Sequence, residues 1–149
     1  MSDPRVVFVE GSGDAPSTLT LSEKGMKTWI LWRLLSANNR DLGRGQNLFA
    51  SHDQSVQHFR FVRENIERVE PVITHADAGL EWFWVLMLDE QPVARSSRGY
   101  ERLRECHYCL AQFLESVSTA EVVDDPERIV RLRQDHAAPG TFEPFADAL

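Results

Sequence analysis

The sequence predicts an α+β protein: two tandem β-β-β-α-β units forming one antiparallel sheet, with helices packed on one face. Three observations point there. The apolar run "TWILWRLL" (28–35) has a second version further along, "EWFWVLML" (81–88). Each run is followed by a polar turn and a short strand-like segment. Each of those leads into a stretch whose apolar residues recur every three or four positions, the spacing of a helix with one buried face. A repeated period of this kind decides the fold, because one such unit has no second layer to bury its apolar face against.

In chain order, residues 1–16 read as an N-terminal strand, "RVVFVE", and a linker containing "GSGD". The first repeat spans 17–74. "STLTLS" (17–22) alternates apolar and polar residues and is expected to be its opening strand. "TWILWRLL", the turn "ANNR" and "DLGRG" form a β-hairpin. Ser51-His52-Asp53-Gln54 is a capping box: the serine hydroxyl takes an orphan amide and the glutamine reaches back. The helix stripe is Val56, Phe59, Val62, Ile66 and Val69. "EPVIT" (70–74) follows as a strand that closes the first repeat, opens the second, or does both.

The second repeat spans 75–125. Its hairpin is "EWFWVLML", "DEQP" and "PVARSS", and its helix stripe is Leu103, Cys106, Leu110, Phe113 and Val117. Neither Tyr100 nor Glu101 is a favoured cap. "EVVDD" (121–125) is a closing strand. A tail, 126–149, starts with Asp125-Pro126, a cap followed by proline at the first helical position. Setting Trp32 on Trp84 aligns Leu34 with Leu86, Arg44 with Arg95, Phe49 with Tyr100, Phe59 with Leu110, and Val62 with Phe113. The predicted core is Trp32, Trp82, Trp84, Leu86, Tyr100, Phe59 and Phe113.

The stretch from Glu81 to Val117 resembles the YegP-like family, small bacterial and archaeal domains of unknown function often found in tandem. Trp82, Trp84, Leu86, Val93, Ala94, Ser96, Gly99 and Tyr100 match that family's W-x-W-x-L strand, V-A-x-S strand and G-Y. The first repeat is a worn copy, with Ile30 for the first tryptophan, Gly43 for the alanine and Gly45 for the serine. The resemblance covers about Ser17 to Asp125. It implies β-β-β-α-β units, two of which build one sheet and exchange C-terminal strands, and it implies no activity.

Both faces of the tryptophan strands are apolar. Trp82, Trp84, Leu86 and Leu88 oppose Phe83, Val85 and Met87; Ile30, Trp32 and Leu34 oppose Trp29, Leu31 and Leu35, with Arg33 interrupting. Helices cover one face. "RVVFVE" and the tail, with Ile129, Val130, Leu132, Phe142 and Phe145, are the expected covers for the other. Failing those, a partner or a second copy covers it, so the protein is read as a monomer with an internal pseudo-twofold axis or a homodimer.

A formal net charge of -7 over 149 residues argues against a broadly nucleic-acid-binding or anionic-membrane surface. No basic start leads into a long apolar stretch, as a signal peptide requires. The apolar runs are too short to span a bilayer. With two cysteines three positions apart, the chain reads as reduced and cytoplasmic. Cys106 and Cys109 could hold zinc or exchange thiols, but zinc needs about four ligands and no second pair exists. Cys106 also lies on the helix stripe, where a cysteine is a small buried hydrophobe. No metal ion and no cofactor is therefore expected. Arg95, Arg98, Arg102 and Arg104 follow the second hairpin, with Arg40 and Arg44 at comparable places in the first. Arg95, Arg98, Arg102 and Arg44 are the candidate binding residues. Single-strand nucleic-acid stacking would need exposed tryptophans flanked by Arg95 and Arg98. The five histidines are scattered, and no nucleophile elbow or phosphate-cradling loop occurs. The expected function is a non-enzymatic module that binds a protein or peptide through a sheet face, edge or tail.

Overall fold

The structure, a computed structural model, describes residues 3–75 and 79–131. In chain order the elements are β1 (Arg5–Ser12), β2 (Thr20–Leu21), β3 (Thr28–Leu35), β4 (Asp41–Gly45), β5 (Asn47–Leu48), α1 (His52–Glu64), β6 (Glu70–His75), β7 (Trp82–Leu88), β8 (Gln91–Arg95), α2 (Leu103–Val117), β9 (Glu121–Val122) and β10 (Val130–Arg131). The main sheet has the order β10-β1-β3-β4-β8-β7-β6, and β9 also pairs with β1. β9 and β10 run parallel to β1; the other pairings within this sheet are antiparallel.

The two hairpins, β3–β4 and β7–β8, meet along a short seam where Arg44 opposes Arg95 and Gly45 opposes Ala94. Each hairpin carries a one-residue bulge: Leu42 is left over between Gly43 and Asp41, and Val93 between Ala94 and Pro92. Past each hairpin the chain bridges back to its first strand, Phe49 to Ile30 and Tyr100 to Trp82. The strand after α1 pairs with β7, and the strand after α2 pairs with β1, so each crosses to the half containing the other hairpin. β6 therefore follows the first helix and borders the second hairpin.

Both helices lie on one face and bury Trp32 and Trp84 completely. The Phe113 ring lies between them, its centroid 4.7 Å from Trp84 and 6.3 Å from Trp32, and Phe59 meets Trp32 edge-on at 5.1 Å. Leu86, Phe59 and Tyr100 join the same cluster, with Trp82 packed on its border. This close approach needs Gly43 and Gly45. A Cβ at Gly43 would meet Phe113 and Trp84 at 2.7 Å, and one at Gly45 would meet the Trp32 indole at 2.5 Å. The Ser51 capping box forms, while α2 begins at Arg102 with no side-chain cap.

Two expectations are corrected. "RVVFVE" does not cover the sheet; it belongs to β1, which runs on through Gly11 and Ser12 and pairs with β3 over its whole length. The opening strand of the first half is thus β1 rather than 17–22. Its alternation serves both layers, with Val6 and Phe8 under the helices and Val9 on the reverse. The second face of this half is covered by residues 13–27 instead. Leu19, Trp29, Leu31, Val9 and Leu48 form a separate small core there, and β2 pairs with β5. The tail enters with a single 3-10 turn, Pro126–Arg128, capped by Asp125; Leu132, Phe142 and Phe145 lie outside the described residues. Among the described residues, no helix is long and apolar enough to cross a membrane.

Candidate binding cleft

The structure separates the four candidate arginines. Gly43, Gly45 and Ala94 face the helices, so Arg44 and Arg95, between or beside them, face the reverse. Arg33 opposes Arg44 across the next strand pair, giving three arginines in register, Arg33-Arg44-Arg95. This row is buried at Arg44 and half-buried at Arg33 and Arg95. Arg44 is 1% exposed. Arg33 is paired with Asp41. Arg95 donates to the Thr18 carbonyl at 3.1 Å, and burial pushes its guanidinium below the usual arginine range. Arg102 is exposed at the start of α2, apart from both.

Arg98 goes elsewhere. It lies over the Tyr100 ring, 4.8 Å from its centroid, at a cleft of about 700 Å³ on the helix side. The first hairpin supplies Arg40, Asp41 and the bulged Leu42; α2 supplies Arg104, Glu105, Tyr108, Cys109 and Gln112. The bulge turns Leu42 toward the cleft, as bulges characteristically re-aim side chains. On α2, positions 104, 108 and 112 are four apart and share one face.

The floor is apolar and hydrogen-bonded. Tyr100 donates its hydroxyl to Cys109 Sγ at 2.8 Å, and the thiol donates to the Leu42 carbonyl at 3.2 Å. Burial pushes the Tyr100 hydroxyl up, and Cys109 adds to this. Burial likewise raises the Cys109 thiol and pushes Cys106 up to about 11. Cys106 is fully buried. These thiols are packed, protonated groups, not the exposed thiolates that exchange or metal binding needs.

The rim is cationic. Asp41 is already taken, with one carboxylate oxygen held by Arg33 and the other accepting from Ser97 at 2.5 Å. Arg40, Arg98 and Arg104 are exposed and make no ion pair among the described residues. Among the described residues, Glu105 is then the only lining carboxylate left to oppose three guanidinium groups. Trp29, Trp32 and Trp84 are buried, at 3%, 0% and 0% exposure, and the half-buried Trp82 packs against the His75 ring, centroids 4.5 Å apart, so none of the four presents the open ring that nucleic-acid stacking needs. The sequence groups Arg104 with Arg98 after the second hairpin, but it sets Arg40 apart in the first repeat and does not single out Tyr108 and Gln112.

No family model matches this sequence, and no curated protein matches it. Solved structures do. The chain is similar to YegP from E. coli, a protein of unknown function, with a TM-score of 0.54 and 16% identity over 79% of this chain and 90% of that one. It is also similar to a UPF0339 protein from Shewanella oneidensis, with a TM-score of 0.54 and 12% identity over 88% of this chain and 98% of that one. At such identities the likeness is one of fold. It supports the YegP-like resemblance read from Trp82, Trp84 and the residues that follow them.

Proposed function

We propose that this chain is a small, non-enzymatic cytoplasmic module, two copies of one strand-hairpin-helix unit in tandem, that binds an acidic segment of a protein or peptide partner in the Arg40–Arg98–Arg104 cleft. The observation that carries the binding reading is the arginine rim itself. Three guanidinium groups that have no carboxylate partner among the described residues surround an apolar floor, in a chain whose net charge is -7. Such a site suits a carboxylate set beside an aromatic or aliphatic side chain, since the guanidinium fork matches carboxylate geometry. The volume fits a few side chains.

The matched bulges at Leu42 and Val93 and the matched bridges of Phe49 and Tyr100 support the two-copy reading. The raised Tyr100 and Cys109 support a binding role over a catalytic one, because a general acid or base works best with a pKa near the operating pH. The β6 edge is a poorer recognition surface. Pro71 sits in it, and proline blunts a sheet edge by removing a donor.

The test is fluorescence anisotropy with labelled peptides alternating Glu with Phe, against Lys-Phe controls. The Glu-Phe peptides should bind, more weakly as salt rises, and the double variant R98E/R104E should lose about tenfold or more. Equal affinity for both peptides, or for wild type and variant, would refute the assignment.

A further inference from the structure

The start of α1 and the segment after β9 meet at a second cluster, remote in sequence from the cleft residues. His52 opens the helix, Asp53 follows it, and Asp124 comes two residues after β9. Hydrogen bonding fixes this meeting: Val123 donates its amide to the Val6 carbonyl at 3.0 Å, beside the pairing of β9 with β1. One ligand atom from each of His52, Asp53 and Asp124 lies within 4.8 Å of the other two.

His52 is the unusual member. It is 7% exposed, and neither ring nitrogen has a hydrogen-bond partner among the described residues. Its Nδ1 is 3.7 Å from Asp124 Oδ1, too long for a hydrogen bond. Phe8 packs edge-on against the ring at 4.6 Å, which fixes the plane of the imidazole. A buried polar atom without a partner is costly, and native proteins satisfy nearly all of them. Both carboxylates are exposed. Arg60 Nη2 lies 3.6 Å from Asp124 Oδ2, the oxygen not facing His52, so it offsets only part of the charge and steadies Asp124.

We propose that His52, Asp53 and Asp124 bind a divalent transition-metal cation of the zinc or manganese class. One imidazole nitrogen and two carboxylate oxygens suit those ions, and three protein ligands leave a fourth position for water. Side-chain rotation of Asp53 and Asp124 would bring the donors to the roughly 2.0–2.2 Å metal distances such ligands require. The ion would give His52 its missing partner and clip the segment after β9 to the first turn of α1, tying the two halves of the chain together.

The test uses the full chain, stripped of metal with a chelator and titrated calorimetrically with zinc and, separately, manganese chloride. One ion should bind per chain, and melting temperature should rise with added metal. D124N and D53N, both at exposed positions, should each weaken binding about tenfold or more while leaving the metal-free melting temperature near wild type. C106S/C109S should bind like wild type. Absence of uptake for both ions would overturn the proposal, as would binding that survives D124N and D53N or disappears in C106S/C109S. His52→Ala is not the deciding variant, since its burial makes loss of folding a competing cause.

Discussion

Trp32 buries an indole N–H that needs an acceptor, and His58 Nδ1 takes it at 2.9 Å. Because the indole only donates, that nitrogen must be unprotonated. Burial pushes His58 down from 6.5 to about 4. Between those values the unfolded chain binds a proton that the folded chain refuses, so stability falls as pH drops through this window and is unaffected above it. At about 1.4 kcal/mol per pH unit, the loss is up to about 3 kcal/mol. Urea melts at pH 7.5 and 4.5 should show it, and His58→Gln, which keeps an acceptor but does not titrate, should remove that component. An unchanged pH slope in the variant would count against this role. Gly43 offers a second residue-level check. Gly43→Ala puts a methyl group 2.7 Å from Phe113 and Trp84, and overpacking of this kind costs about 1–3 kcal/mol in a denaturant melt.

The hairpins and helices were legible because their signals are local. The Trp strands, the α1 capping box and the Leu103–Val117 stripe lie where periodicity placed them. The partner of each strand was less legible. Both 5–10 and 17–22 read as strands, and a strand pattern fixes a face without naming the neighbour; the eight-residue register with β3 went to β1. The β7–β8 turn is another local device. Asp89 and Glu90 both have positive φ, 50° and 68°, the arrangement of a two-residue type I′ turn, which favours Asn-Gly. Asp89 holds Arg68 at 2.8 Å and should be kept. Glu90→Gly should raise stability by about 1 kcal/mol, because a side chain at positive φ is strained. A lower melting temperature would contradict that reading. In the layer between elements, Trp84→Ala should cost about 3–5 kcal/mol, as large-to-small core changes do.

The whole molecule assembles what the sequence keeps apart. Arg40 and Arg98 come together because the β4–β8 seam joins the two hairpins, and Arg104 joins them from α2. No sequence spacing encodes that meeting, although the alignment of Arg44 with Arg95 anticipated two residues that are opposed across the seam. The spacing of Arg104, Tyr108 and Gln112 was the one local signal that could have marked a helix face toward the cleft. An acidic chain that gathers three cations, unpaired among the described residues, around an apolar floor concentrates the field where a carboxylate can enter. The most direct test is a two-dimensional amide NMR titration of the full chain with the Glu-Phe peptide. Shifts should cluster at residues 40–42, 98–100 and 104–112, and vanish in R98E/R104E. Shifts centred instead on β6, or on 13–27 behind the sheet, would contradict the cleft as the recognition site.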